Sequence, residues 1–352
     1  MPHLRQKIAQ LLCLGFDGME FETAHELRSW LSHEDGLGFL ILFDYDLKKQ
    51  VFEKNIKSFE QLRHLNQSIK AFYQAQHPTH PGIGLSIDVE GGRVDRLAQI
   101  PEYSKLPSAE LISAMSVEDR TMLWKKHAQL LQSLSIDLNF APVVDLNLSP
   151  DEGIFGPLER CFSNKALTVV ELAKDYIETL NHYGIYACLK HFPGHGSAKG
   201  DSHFGFVDVS STFSSAELKP YELLISKPNL HFSIMTAHVI NKQLDISGIP
   251  ATLSQEILTH LLREKLNYSG LIISDDLQMH AIAKYYSRKE ALFQTLMAGT
   301  DMIIFGNQLG WDTPQGIIDD IESLVLEQRL PEKIIDRAYQ RVISFKTKNF
   351  QF

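Results

Sequence analysis

The amino-acid sequence predicts an α/β protein that folds as a single (β/α)8 TIM-type barrel. Eight short apolar segments recur along the 352 residues, and amphipathic segments separate them. Continuous apolar strands that alternate with helices indicate a parallel sheet covered by helices. A barrel of this kind typically needs about 250 residues, so residues 1–352 fit one barrel domain with enlarged loops. An open, doubly wound sheet is the alternative architecture.

The eight predicted strands are short and strongly apolar. A strand that is buried on both faces appears in the sequence as a mainly apolar run. Such runs occur at residues 11–16, 38–43, 82–90, 136–146, 184–192, 232–240, 270–276 and 300–306. The first run is too short for a membrane span and precedes the acidic segment DGMEFE, so we interpret it as a buried strand and not as a secretory signal. No other segment approaches a membrane span.

Amphipathic segments between the strands predict helices. Apolar residues recur at every third or fourth position over residues 59–75 and 166–183, which is the spacing of one helix face. The C-terminal segment PEKIIDRAYQRVISFKTK has the same character and predicts a closing helix. No linker, low-complexity tract or short repeat divides the chain, which favours a single domain.

Composition and charge restrict the molecules that this protein is expected to bind and the compartment in which it is expected to work. The net charge is −9 and the Lys and Arg residues do not cluster, which argues against nucleic-acid binding because such binding neutralises phosphates. Cys13, Cys161 and Cys188 are odd in number and widely spaced, a pattern that fits buried thiols in a reducing cytoplasm. The sequence does not indicate an oligomeric state.

Ionisable and amide side chains follow or end several of the predicted strands. In a barrel, the C-terminal ends of the strands build the active site, so these side chains are expected to meet at one mouth. The groups are Asp88 and Glu90, Asp145 and Asn147, Lys190 and His191, His238, and Asp275 and Asp276. For Asp276 a capping role at the start of the next helix is the expectation.

The segment KHFPGHGSAKGDSH, residues 190–203, concentrates proton-handling groups. His191 and His195 have helical metal-pair spacing, but Pro193 and Gly194 between them would break the helix. The glycines match neither a P-loop nor a dinucleotide fingerprint. The segment therefore predicts a loop whose side chains face a ligand, with His195 holding the loop through its backbone.

This segment, together with IDVEGGRVDR (87–96) and ISDDLQM (273–279), resembles the signature segments of family 3 glycoside hydrolases. The resemblance is to the bacterial β-N-acetylglucosaminidase branch that works in cell-wall recycling. It extends from LGFLILF to beyond AGTDMIIF, most of the chain. The resemblance implies a (β/α)8 barrel, in agreement with the strand pattern. It also implies a retaining exo-β-N-acetylglucosaminidase that removes terminal β-linked N-acetylglucosamine from muropeptides in the cytoplasm.

The resemblance assigns roles to particular residues. Asp275 matches the family's catalytic nucleophile, His203 matches its acid/base, and Asp201 matches the partner of that histidine. The sequence departs from the family at Cys161, where the family usually has serine. The positions that match sugar-binding residues are Asp88, Arg96, Arg160, Lys190 and His191.

These roles make chemical sense for a retaining glycosidase. Such an enzyme needs a carboxylate nucleophile and a proton donor, usually two carboxyl groups about 5–5.5 Å apart. A histidine donor avoids like-charge repulsion beside Asp275, and its ordinary pKa of about 6.5 suits proton exchange near neutrality. Asp201 can orient the His203 imidazole, and the glycines of GSAKG are expected to give the loop freedom to reach the mouth.

Three other functions stay open. A β-N-acetylglucosaminide phosphorylase on this scaffold would use phosphate as the acceptor, because a histidine does not repel an incoming anion. A metal-dependent amidohydrolase would normally show an early H-x-H ligand pair, which the sequence lacks. A non-catalytic sugar-binding barrel would have no reason to keep the nucleophile together with the D-S-H segment. We therefore predict a hydrolase that needs no metal and no other cofactor.

Overall fold

The computed structural model describes residues 2–200 and 206–349, and within them eight parallel strands form one barrel. Each strand lies inside a segment that the sequence predicts, so the predicted TIM-type barrel is confirmed. The strands are β1 Leu12–Gly15, β2 Phe39–Leu42, β3 Gly84–Ile87, β4 Leu138–Asn139, β5 Tyr186–Phe192, β6 Phe232–Thr236, β7 Ile272–Ile273 and β8 Ile303–Phe305.

Neighbouring strands of the barrel follow chain order. The sheet runs β7-β6-β5-β4-β3-β2-β1-β8, with Cys13 of β1 opposite Phe39 of β2 and Ile304 of β8. A parallel bridge between Ile273 and Met302 joins β7 to the start of β8 and brings the two ends of the sheet together. An open doubly wound sheet would leave these two ends apart, so that alternative is wrong.

The helices lie between the strands and pack on the outside of the barrel. Ser58 caps the helix after β2 by accepting a hydrogen bond from the backbone N of Gln61 at 3.2 Å. The α-helices are Leu4–Gln10, His25–Ser32, Phe59–Gln76, Ala109–Ser113, Val117–Ser133, Ala166–His182, Lys219–Ile225, His280–Ala283, Arg288–Ala298, Pro314–Leu326 and Glu332–Asn349. A π-helix spans Glu256–Lys265. The predicted helices at 59–75 and 166–183 and the closing helix are confirmed.

Burial explains the apolar runs. Every residue of β1, β2 and β3 is buried, because the interior of the barrel covers one face and the helices cover the other. Cys13, Cys161 and Cys188 are free and buried, as predicted. Among the described helices, none has both the length and the apolar composition that crossing a bilayer requires.

A buried lysine closes the N-terminal end of the barrel. Lys346 lies on the C-terminal helix and has no exposed surface. Its ammonium group donates hydrogen bonds to Gln10 Oε1, the Gly38 carbonyl and the Gly82 carbonyl at 2.8, 2.8 and 2.9 Å. These acceptors precede β1, β2 and β3, so one side chain holds the starts of three strands together.

Candidate active site

The C-terminal ends of the strands surround a cavity of about 370 Å³. All six predicted site residues in the described part of the chain line it, and they come from different strands and loops. Asp201 and His203 lie outside the described residues. The charged and imidazole side chains that line the cavity are Asp88, Glu90, Arg96, Arg160, Lys190, His191, His195, Asp275 and Asp276.

Buried ion pairs form the floor of the cavity. Lys190 Nζ lies 2.8 Å from Asp88 Oδ1 and 2.6 Å from Glu90 Oε1. The Arg160 guanidinium donates through Nε and Nη2 to the two oxygens of Glu90, both at 2.8 Å. Glu90 therefore joins two of the predicted sugar-binding cations, a role that the sequence analysis did not assign to it.

The charges of this network are set by the competition between burial and pairing. Burial raises the pKa of Glu90, but Arg160 and Lys190 outweigh it and hold that pKa below its ordinary value. Burial lowers the pKa of Lys190, but Asp88 and Glu90 outweigh it and raise that pKa. Glu90 is therefore ionised and Lys190 is charged at neutral pH.

A tight hairpin after β3 positions Glu90 and Arg96. The short strands Val89–Gly91 and Val94–Asp95 pair antiparallel. Gly91 and Gly92 have φ angles of +96° and +59°, and a Cβ at Gly91 would lie 2.3 Å from the Pro107 carbonyl oxygen. The positive φ angles and the close approach of the Pro107 backbone explain why glycines stand at this turn.

Arg96 lies at the edge of this floor and has two neighbours. Its Nη1 donates to Asp44 Oδ1 at 3.4 Å, and its guanidinium carbon lies 5.4 Å from the centre of the Phe43 ring. Burial raises the pKa of Asp44 although Arg96 opposes the shift. Arg96 thus connects the cavity to the loop that follows β2.

Asp145 organises the first half of the 190–203 segment. Its carboxylate accepts hydrogen bonds from His191 Nδ1 at 2.8 Å, from the His191 backbone N at 3.0 Å and from the His195 backbone N at 2.8 Å. Because Nδ1 donates to Asp145, Nε2 of His191 is left for a ligand. The sequence placed Asp145 at a strand end, but its action through backbone N–H groups depends on the folded loop.

The ring of His195 also lines the cavity. Neither ring nitrogen has a hydrogen-bond partner within the described part of the chain, and the ring packs 4.9 Å from the centre of the Phe155 ring. Burial lowers the pKa of His195 to about 4, so the imidazole is neutral at neutral pH. The predicted backbone role is confirmed by its hydrogen bond to Asp145.

The segment after His195 is more tightly held than the sequence suggested. The backbone N–H groups of Gly196 and Ser197 donate to Glu217 Oε2 at 2.9 and 3.2 Å. A Cβ at Gly196 would lie 1.8 Å from the Leu146 carbonyl oxygen. The expectation that the glycines supply freedom is wrong for Gly196, which is a glycine because of this close contact. Glu217 also accepts from the Ser214 backbone N at 3.2 Å, so its sequence signal is that of a helix cap.

Asp275 and Asp276 follow β7 and both line the cavity. Asp275 Oδ1 accepts a hydrogen bond from the Asp276 backbone N at 2.8 Å. Asp276 Oδ1 accepts from the Gln278 backbone N at 2.9 Å. The next helix begins at His280 with Met279 as its N-cap, so Asp276 stabilises the turn before the helix, and the predicted capping role is wrong. Burial, with a contribution from Asp275, raises the pKa of Asp276 to about 7. A proton on Asp276 limits like-charge repulsion beside Asp275.

Three strand-end residues do not line the cavity, namely Asp145, which acts through the loop as described above, His238 and Asn147. His238 is buried beneath it, with Nε2 at 3.0 Å from the Asp276 carbonyl oxygen and Nδ1 at 2.8 Å from Thr252 Oγ1. Asn147 pairs its backbone N with the Ser163 carbonyl at 3.1 Å and does not line the cavity. The prediction that all five strand ends contribute side chains to the mouth is therefore wrong for the strand ends at Asp145 and Asn147 and at His238.

Cys161 stands where the resembled family usually has serine. It is buried in a small apolar cluster with Val143 and Phe155. The neighbouring Arg160 keeps its two hydrogen bonds to Glu90, and its guanidinium carbon lies 4.8 Å from the centre of the Phe155 ring. The departure from the family pattern leaves Arg160 in the cavity.

Apolar side chains complete the lining. Strands supply Ile41, Met235 and Ile304, and loops after β2, β4 and β8 supply Tyr45, Leu47, Ile154, Phe155 and Leu309. Of these, Leu47 and Leu309 are open to solvent, so the cavity combines a charged floor with an apolar rim at its mouth. Within residues 2–200 and 206–349, no three His, Cys, Asp or Glu side chains are grouped as a metal site would group them.

Known proteins share the sequence pattern and the fold of this chain. Residues 3–345 match the family model described as glycosyl hydrolase family 3 N terminal domain. A protein named Beta-hexosaminidase from Psychromonas ingrahamii is 34% identical over 270 residues, which cover 73% of this chain and 74% of the relative. Beta-hexosaminidase LpqI from Mycobacterium tuberculosis is 32% identical over 282 residues, covering 76% of this chain and 69% of the relative.

Solved structures share the architecture. A family 3 beta-N-acetylglucosaminidase from Paenibacillus sp. aligns with a TM-score of 0.86 at 29% identity, covering 99% of this chain and 62% of that longer chain. The structure of LpqI from Mycobacterium tuberculosis aligns with a TM-score of 0.77 at 28% identity, covering 97% of this chain and 93% of that one.

Proposed function

This chain belongs to glycosyl hydrolase family 3, and from that premise we propose that it is a retaining exo-β-N-acetylglucosaminidase. Relatives named Beta-hexosaminidase support the class of sugar. The observation that carries the proposal is that Asp275, the candidate nucleophile, shares one cavity with Asp88 and Lys190 from two other strand ends. A carboxylate in reach of a bound sugar is what covalent glycoside cleavage requires.

The floor suits a neutral, hydroxyl-rich ligand. Asp88 offers carboxylate oxygens as acceptors, while Lys190, Arg160 and Arg96 offer donors, and charged groups make stronger hydrogen bonds to hydroxyls than neutral groups do. Glu90 pairs with both Lys190 and Arg160, and Asp88 pairs with Lys190, so two carboxylates match these two cations. This balance favours hydrolysis over phosphorolysis, since an incoming phosphate would need unpaired cations.

The reaction has two steps. An oxygen of Asp275 bonds to the anomeric carbon while the bond from that carbon to the leaving oxygen breaks, and His203 gives that oxygen a proton. His203 then takes a proton from water, the water oxygen bonds to the anomeric carbon, and the Asp275 carboxylate departs. Two inversions at one carbon retain the β configuration. Asp201 orients His203 and stabilises its protonated form.

The natural substrate that we propose is a muropeptide bearing terminal β-linked N-acetylglucosamine, degraded during cell-wall recycling in the cytoplasm. The family branch that the sequence resembles supports the substrate. Three buried cysteines without disulfides support a reducing compartment. We assign the activity to the chain acting as one barrel domain, without a metal or another cofactor.

Substrates with good and with poor leaving groups distinguish the role of Asp275 from that of His203. Asp275→Ala is expected to lose at least about 10⁴-fold in turnover for every leaving group, because no covalent intermediate forms. His203→Ala should still form the intermediate from a 4-nitrophenyl glycoside and then hydrolyse it slowly. Azide needs no general base, so it should accelerate that variant and yield a β-glycosyl azide.

Three outcomes contradict the proposal. An α-configured azide from His203→Ala would reverse the two assignments. Equal rates on β-glucosides and β-N-acetylglucosaminides would show that the enzyme has no specificity for the N-acetyl group. A sugar 1-phosphate formed when phosphate is added would make the chain a phosphorylase. Asp201→Ala is expected to resemble His203→Ala, since Asp201 acts only through the imidazole.

A further inference from the structure

A loop at the cavity mouth follows β2, and we call its residues 44–54 the β2 loop. Its two ends meet, because the Phe43 backbone N donates to Asn55 Oδ1 at 3.0 Å and the Asn55 backbone N donates to the Phe43 carbonyl at 2.9 Å. Inside the loop, the Asp46 backbone N donates to the Val51 carbonyl at 2.8 Å. The β2 loop is therefore folded on itself.

Gln308 fastens the β2 loop to the loop after β8. Its Nε2 donates to the Tyr45 carbonyl at 2.8 Å, and its Oε1 accepts from the Leu47 backbone N at 3.3 Å. The base of the β2 loop is tied to the cavity floor by the contact between Asp44 and Arg96. Leu47 and Leu309 are thereby brought to the same side of the mouth.

The side chains presented there are apolar and open to solvent. Leu47 is 46% exposed and Leu309 is 43% exposed, although both line the cavity. Tyr45 lines the cavity beside them and packs edge-on against Phe52, with ring centres 4.8 Å apart. We call Tyr45, Leu47 and Leu309 the apolar rim. Exposed apolar side chains that continue a ligand cavity are typical of a contact surface for part of a ligand.

We propose that the apolar rim is the subsite for the leaving group, and that it selects leaving groups with an apolar face. This proposal rests on the proposed function. A sugar held by the charged floor has its leaving oxygen towards the mouth, so the group attached to that oxygen must pass the rim. An aryl ring or the C–H face of a second pyranose would cover the two leucines and the tyrosine ring. A leaving group that is charged throughout would gain nothing from this surface.

The test compares the double variant Leu47→Ser/Leu309→Ser with the wild type. Two substrates are used, 4-nitrophenyl β-N-acetylglucosaminide and the β-1,4-linked disaccharide of N-acetylglucosamine. Loss of apolar contact should lower kcat/KM about tenfold for both, chiefly through KM. The inhibition constant of free N-acetylglucosamine, which occupies the floor alone, should stay within about twofold of the wild type.

A matched double variant, Leu167→Ser/Leu326→Ser, changes two leucines that are 72% and 74% exposed on outer helices, and its kinetics should equal those of the wild type. The proposal is overturned if the rim variant keeps the wild-type kcat/KM for both substrates. It is also overturned if the inhibition constant rises as much as KM, because the floor would then be affected. If the wild type itself cleaves neither substrate, the proposed function fails first and the subsite falls with it.

Discussion

The two ends of the barrel each contain a buried lysine, and the two lysines differ in the charge of their partners. Lys190, at the cavity, lies against the carboxylates of Asp88 and Glu90, which overcome burial and raise its pKa. Lys346, at the opposite end, donates to three uncharged oxygens, and burial lowers its pKa to about 7. Equal burial thus gives opposite shifts in pKa, and the partners decide the sign.

The difference also separates two uses of a buried cation. Lys190 belongs to a network of opposite charges that opens onto a cavity, where an unmet donor or acceptor can serve a ligand. Lys346 has each of its three donors occupied by the chain itself, so it serves the fold. We therefore expect changes at the cavity to act on activity and changes at the opposite end to act on stability.

The largest effect is expected for Lys190→Met. Removing the cation leaves Asp88 and Glu90 as buried carboxylates with one partner fewer, which should lower the free energy of unfolding by about 3–5 kcal/mol. Loss of a donor to the bound sugar should lower kcat/KM by about 10³-fold. Turnover of a chromogenic glycoside is measured at a temperature where circular dichroism shows the variant folded. A folded variant with wild-type kcat/KM would show that Lys190 does not bind the substrate.

Lys346→Met should destabilise the N-terminal end of the barrel and leave the cavity unchanged. Three buried acceptors lose their donor, so the free energy of unfolding should fall by about 3 kcal/mol, measured by urea denaturation. The kcat/KM of the folded variant should stay within about twofold of the wild type. Lys333→Met, on the exposed side of the same helix, is the matched control. A fall in kcat/KM well beyond twofold in the folded Lys346→Met variant would show that the two ends of the barrel are not independent.

Glu90→Gln sharpens the comparison by removing one charge without changing the shape of the side chain. The amide no longer neutralises Lys190 and Arg160, so both cations should lose their fixed positions in the floor. We expect kcat/KM to fall about 10- to 100-fold, mainly through KM, because sugar contacts are lost before the chemistry is. A fall in kcat with KM unchanged would contradict this positioning role.

The smallest effect is expected in the pH dependence of stability. The pKa of Lys346 is lowered in the folded chain, from 10.5 to about 7. The unfolded chain therefore binds more protons between these values, and the free energy of unfolding rises with pH there, by at most about 1.4 kcal/mol per pH unit. Lys346→Met should lose this slope when unfolding is compared from pH 7 to pH 9. An identical slope in the variant would assign the pH dependence to other groups.

The barrel could be predicted from the sequence because its strands are buried on both faces. The unbroken apolar runs FLIL and IIF leave little choice other than an interior strand. The helix Leu4–Gln10 was missed because its polar residues lie directly before an apolar run that reads as the strand. The winding of Glu256–Lys265 as a π-helix has no local sequence signal either.

The candidate site could be predicted in part. Asp88, Lys190, His191 and Asp275 reach one cavity because they stand at the ends of parallel strands, whereas Arg96 and Arg160 lie in longer loops and were assigned through the family resemblance. A signal for Glu90 was present, since residues two apart on an extended segment point the same way and Asp88 was already assigned. The roles of Asp145 and Glu217 could not be predicted. Both carboxylates accept hydrogen bonds from backbone N–H groups of a loop whose path only the fold defines. The roles of His203 and Asp201 remain predictions.

The closure of the β2 loop at Phe43 and Asn55 fixes the positions of its two ends. Strand β2 ends before the loop begins, and the next helix starts after the closing pair, so neither depends on the residues between them. Insertions and deletions in that stretch would be absorbed locally, as loop-length changes with fixed ends are. Evolution or a designer could therefore exchange residues 45–53 to retarget the enzyme, while Asp44 keeps its contact with Arg96 in the catalytic floor.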